Sequence, residues 1–253
     1  MTRRTKTRSL LTDVAWIGPF LIAGLLLPTG AEGLTQDADT LTDRMVSADE
    51  VEASRWTQDG AVNVDRDGRA LQVTASLQIG AFLGSAPPDH QYHALVHREG
   101  SAAGKALFVT DASDADIARI LRELGARDEG GVPMSAWNLR WVPLVPQPDT
   151  RVQGTPIQVV VEWEGAERPY TLDELLDDPG GKGIDIRFGG NEEHDHHWDS
   201  GCILCLFSCP GGVVSNAAYT IRDHQRGVTT FDPGERLPPD GTEVTITFLL
   251  DGG

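Results

Sequence analysis

Three cysteines stand close together in Cys202-Ile-Leu-Cys205-Leu-Phe-Ser-Cys209-Pro210-Gly211-Gly212, and the 253-residue chain has no others. Thiolates are ligands for zinc, cuprous copper and iron–sulfur clusters, and paired thiols carry redox chemistry. The spacing C-x2-C-x3-C-P equals the last three-quarters of the bacterial ferredoxin run, with its first cysteine missing. A complete iron–sulfur cluster would need a fourth ligand from elsewhere, which ranks it below zinc or copper.

Imidazoles stand nearby in sequence. His194-Asp195-His196-His197 lies just upstream of the cysteines, and a second group, His90, His93 and His97, lies far away. Cys202, Cys205 and Cys209 with one of His194, His196 or His197 make a chemically reasonable Cys3His site. Plainer readings stand beside it. Two cysteines form a disulfide and leave one buried thiol, the stretch Glu192 to Asp199 is a solvated loop, and His93 and His97 sit on a strand face. Hydrolytic chemistry finds no support: Ser208 and Ser215 lack a G-x-S-x-G setting, and no glycine loop cradles phosphate. The expectation is a protein that is not an enzyme.

Whether three sulfurs can meet depends on the element that carries them. On a helix, positions 202, 205 and 209 form one stripe; on a strand, Cys205 and Cys209 share a face and Cys202 points away. The sequence leaves both open.

Around that run the pattern is of short strands. Leu71, Val73, Ala75, Leu77 and Ile79 alternate with polar or small residues. Ala106 to Thr110, Ile157 to Trp163, Ile184 to Phe188 and Val244 to Leu249 read as further strands. Two helices are expected. One is capped by Ser113 and carries the stripe Ile117, Ile120, Leu121 and Leu124; the other is capped by Thr171 with Glu174. A short helix around Ser47 to Ser54 is a weaker signal. Trp137 and Trp141 lie in a segment where Pro143, Pro146 and Pro148 forbid a helix. The expected class is α+β, short strands with two short helices in one domain over residues 69–253.

Residues 1–31 stand apart. Arg3, Arg4, Lys6 and Arg8 precede the apolar run Val14 to Leu27, and Thr29-Gly30-Ala31 offers small residues for cleavage. That is the layout of a signal peptide, with an uncleaved N-terminal anchor as runner-up. Thr5, Lys6 and Thr7 do not fit a twin-arginine signal. Residues 32–68 form a polar lead-in. The location expected is periplasmic or otherwise extracytoplasmic, where disulfides persist. The net charge of −17 disfavours nucleic acid and anionic surfaces as partners; a protein partner in the cell envelope fits, with membrane contact through the N-terminus if it is uncleaved.

Three stretches carry a resemblance. Phe108-Val-Thr-Asp-Ala-Ser-Asp-Ala-Asp-Ile117 leading into Leu121-Arg-Glu-Leu-Gly-Ala126, Val152-Gln-Gly-Thr-Pro-Ile-Gln-Val-Val-Val-Glu-Trp163, and Leu237-Pro-Pro-Asp-Gly-Thr-Glu-Val244 resemble the YdjY family of exported bacterial proteins. The resemblance spans roughly residues 70–250. It implies that Cys205 occupies a position where relatives often have cysteine, Cys202 one where an acidic residue is common, and Cys209 one where an aromatic residue is. It implies fold and compartment and carries no settled activity. The functional expectation is an extracytoplasmic metal-binding or thiol-redox accessory protein. The alternatives are a structural module of an envelope complex with a stabilising disulfide, and an iron–sulfur electron-transfer protein.

Overall fold

Two eight-residue strands, β3 (Ala70–Leu77) and β13 (Glu243–Leu250), pair antiparallel along almost their whole length and form the spine of the sheet. The alternation read from Leu71 to Leu77 appears in β3 with Leu71, Val73, Ala75 and Leu77 buried, and in β13 Val244, Ile246 and Phe248 are likewise inward. The structure is a computed structural model that describes residues 55–84, 91–190 and 197–250. These all belong to one compact unit, residues 46–253.

From the spine the sheet grows both ways. β6 (Ile157–Glu162) and the short β7 (Tyr170–Thr171) extend it on the β13 side. On the other side β3 is shared: its first half pairs with β2 (Val62–Asp65), itself paired with β1 (Thr57–Asp59), and its second half with β5 (Phe108–Thr110). β5 then continues through β4 (His93–His97), β10 (Cys202–Cys205), β11 (Val214–Asn216) and β9 (Ile186–Phe188). The sheet curls, because Pro156, just before β6, bridges to Arg187 in β9, and the Phe188 N–H donates to the Thr155 carbonyl at 2.9 Å. β8 (Leu176–Asp177) and β12 (Asp232–Pro233) make a separate two-stranded ribbon.

Five α-helices occur among the described residues: α1 (Ile79–Leu83), α2 (Asp114–Glu123), α3 (Met134–Asn138), α4 (Leu172–Leu175) and α5 (Ile221–Gln225). The class is α+β, mostly strand with short helices. Ser113 caps α2 by accepting the Asp116 N–H at 3.0 Å. Its stripe of Ile117, Ile120 and Leu121 is fully buried, each side chain contributing about 1.5–3 kcal/mol relative to exposure. This helix packs against β2 and β10, so the clearest helix in the sequence backs the strand that carries the first two cysteines. Thr171 and Glu174 form the capping box of α4.

The structure differs from the sequence reading in places. The segment around Trp137 holds α3, which ends at Asn138, five residues before the first proline, so the prolines end nothing that had begun. β1 and β2 join the sheet ahead of residue 69. The expected helix at 47–54 and the apolar run Val14 to Leu27 lie outside the described residues. Among those described, no helix is long and apolar enough to cross a membrane.

Candidate functional site

β10 is an interior strand, antiparallel to β4 on one side and parallel to β11 on the other, and all four of its residues are buried. Its register against β4 is irregular: Cys202 pairs with Val96, Leu204 with Leu95 and Cys205 with His93, with a shift on each side of Leu204. On a regular strand, residues three apart face opposite sides. An extra residue in a bulge resets that phase and re-aims a side chain. Cys202 and Cys209 are accordingly both near enough to act on the Cys205 thiol, and the two line one cavity. The three sulfurs converge.

Cys209 is brought back by the loop between two parallel neighbours, residues 206–213, a connection too short for a helical crossover. It is fastened at several points. The Val213 N–H donates to the Cys202 carbonyl at 3.3 Å, the Gly212 N–H to the Cys209 carbonyl at 3.4 Å, and the Gly211 N–H to Cys209 Sγ at 3.4 Å. The buried Ser208 hydroxyl donates to the Asn216 carbonyl and accepts the Val152 N–H, both at 3.2 Å. The two glycines answer to close packing. A Cβ on Gly211 would meet the Trp198 ring at 2.7 Å, and one on Gly212 would meet Ser215 Oγ at 2.7 Å and Cys205 Cβ at 3.0 Å.

None of the three cysteines is in a disulfide, and all are buried. Cys202 and Cys209 line a cavity of about 250 Å³ whose wall includes Tyr92, His93, Trp137 and Trp198, while Cys205 lies behind them, fully buried. Burial, with the hydrogen bonds and repulsion of the two neighbouring thiols, pushes the Cys205 thiol well above its usual pKa. His93 Nδ1 is 3.4 Å from Cys202 Sγ. The Tyr92 ring lies 4.3 Å from His93, and Phe207 and His224, stacked on each other at 4.5 Å, pack edge-on against Tyr92 in turn.

The histidines expected from sequence fare differently from the cysteines. His194 and His196 lie outside the described residues, and His197 is exposed beside Trp198. His97 lies on β4 as read, with its Nδ1 3.1 Å from the Ala112 carbonyl. The imidazole at the thiols is His93, which the sequence reading placed on a strand face and left without a role. Only the pairing of β4 with β10, 109 positions apart, brings it there. Among the described residues, no group of three or more His, Cys, Asp or Glu side chains is arranged to hold a metal ion. The arrangement suits thiol chemistry: two sulfurs facing a cavity, a third in contact with both, and a base beside one of them.

Comparison with known proteins adds family and no activity. The YdjY domain matches residues 62–249. The uncharacterized protein YdjY of Escherichia coli (strain K12) is 32% identical over 240 residues, covering 94% of this chain and 97% of that protein. No solved structure matches the chain. The chain belongs to the YdjY family.

Proposed function

We propose that this YdjY-family protein is an extracytoplasmic thiol-redox accessory protein that exchanges a disulfide with a partner through Cys202 and Cys205. The observation that carries the reading is the position of Cys205, in contact with both cavity-lining thiols and shielded behind them. The basic head at Arg3 to Arg8 followed by Val14 to Leu27 supports an exported location, where such chemistry has oxidised partners.

The exchange balances as follows. Cys202 gives its proton to the His93 imidazole and attacks one sulfur of the partner's disulfide, forming a mixed disulfide and releasing the partner's other sulfur as a thiolate. His93 then hands that first proton to the released partner thiolate. Cys205 gives its own proton to the freed imidazole and attacks Cys202 Sγ, which forms the Cys202–Cys205 bond, breaks the mixed disulfide and releases the second partner thiolate to take the proton from His93. The partner gains two electrons and two protons, and this protein becomes the disulfide. The run in reverse oxidises a dithiol.

Oxidised glutathione tests the reading on the reduced protein. The wild type releases two glutathione thiols per chain and retains none. Cys205→Ser stops at one released thiol with glutathione left bound at Cys202. Release of one thiol by both proteins, or of none, rejects the exchange. Zinc or copper held by the same sulfurs is the rival reading from sequence, and element analysis of the untreated protein separates the two.

A further inference from the structure

Four large apolar side chains are substantially exposed among the described residues, and three of them share one tip: Trp141 at 70%, Val142 at 40% and Leu144 at 100%. Leu144 is held at φ +66°, a conformation disfavoured for a branched residue. The tip is built to stay in that shape. Pro143 and Pro146 restrict it, and Arg222 donates to the Val145 carbonyl while pairing with Asp149 at 3.0 Å. Strain retained at an over-determined loop, with its strained side chain wholly in solvent, marks a working surface.

We propose that this tip inserts into a lipid surface. Its exposed apolar area is roughly 400 Å², half of the ~800 Å² that one side of a standard protein interface buries, so it falls short of a stable docking face for a protein or a second copy. A lipid surface needs only such an apolar wedge with an indole at headgroup depth. Arg140 supplies the flanking charge. Its guanidinium lies 4.0 Å over the Trp137 ring and 5.5 Å over the Trp141 ring, at the base of the tip. Asp149, the next carboxylate along the chain, is neutralised by Arg222. The chain's net charge of −17 opposes an anionic membrane, so the apolar wedge is the main source of affinity. The inference stands on the tip alone and is independent of the thiol reading.

A local readout is needed, because the run Val14 to Leu27 would bring the full chain to vesicles by itself. Hydrogen exchange of the full chain is therefore followed in the peptide spanning 139–147, with and without vesicles of zwitterionic phosphatidylcholine. Exchange in that peptide is expected to slow about tenfold on vesicles. The double substitution Trp141→Ser with Leu144→Ser is expected to abolish the slowing and leave the exchange of β3 and β13 unchanged. Equal exchange with and without vesicles, or slowing that survives the double substitution, overturns the proposal. So does the same protection produced without lipid by raising the protein concentration, which would identify a second copy as the occupant.

Discussion

His93 Nδ1 and Cys202 Sγ are 3.4 Å apart, joined across the pairing of β4 with β10. An imidazole at that distance can take the thiol proton as Cys202 attacks. His93→Ala is expected to slow alkylation of Cys202 at pH 7 by about tenfold. The rate of Cys209, whose sulfur accepts from the Gly211 N–H, changes little. Site-resolved mass spectrometry after timed iodoacetamide pulses measures both. Equal slowing at Cys202 and Cys209 would mean that the substitution loosens the cavity wall and that the imidazole has no specific role.

Gly212 tests how tightly the thiol loop is packed. Its added Cβ would stand 2.7 Å from Ser215 Oγ and 3.0 Å from Cys205 Cβ, so Gly212→Ala must displace the loop or the strand. The expected loss is about 1–3 kcal/mol of stability, the usual range for overpacking a filled interior. Cys205 also becomes more reactive, because its cover is lifted. Urea unfolding and Cys205 alkylation read the two effects, and unchanged values for both would contradict the packing described here.

Much of this frame was legible because the signals are local. The Ser113 cap and the stripe from Ile117 to Leu124 lie within twelve residues and act within a single helix. Thr171 and Glu174 announce α4 in the same way. β3 showed itself through the alternation of Leu71, Val73, Ala75 and Leu77. The hairpin of β1 and β2 had its signal too, Asp59-Gly60 followed by Val62 and Val64 on one side, but it sits among polar residues that read as a lead-in. The convergence of the thiols was not legible. It depends on a bulge at Leu204, whose cause is the register with a strand more than a hundred residues away, and on the sheet order that places β4 beside β10. The role of His93 was hidden for the same reason. Prolines at 143, 146 and 148 misled about Trp137 because a proline restricts its own residue and the one before it, and leaves a helix ending at Asn138 untouched.

Glu174 gives the protein a defined acid limb. Its contact with Arg168, aided by the Thr171 N–H, lowers its pKa from 4.5 to about 2. A carboxylate depressed in the folded state contributes stability that is present above pH 4.5 and is lost as pH falls through about 2. Glu174→Gln is expected to lower the melting temperature at pH 7 and to flatten part of its decline between those two pH values. A variant whose melting curve parallels the wild type across that window would show that the Arg168 pairing carries no linkage.

The most direct test of the thiol account is to map where oxidation goes. The reduced protein is equilibrated in a glutathione redox buffer, trapped in acid, digested and analysed for disulfides, and its bound elements are measured on the same preparation. The account predicts that every intramolecular disulfide contains Cys205, with Cys202–Cys205 the main product, Cys209 left as a thiol, and no stoichiometric metal. A Cys202–Cys209 disulfide with Cys205 still reduced would contradict it, as would three unreactive thiols accompanied by one zinc or copper per chain.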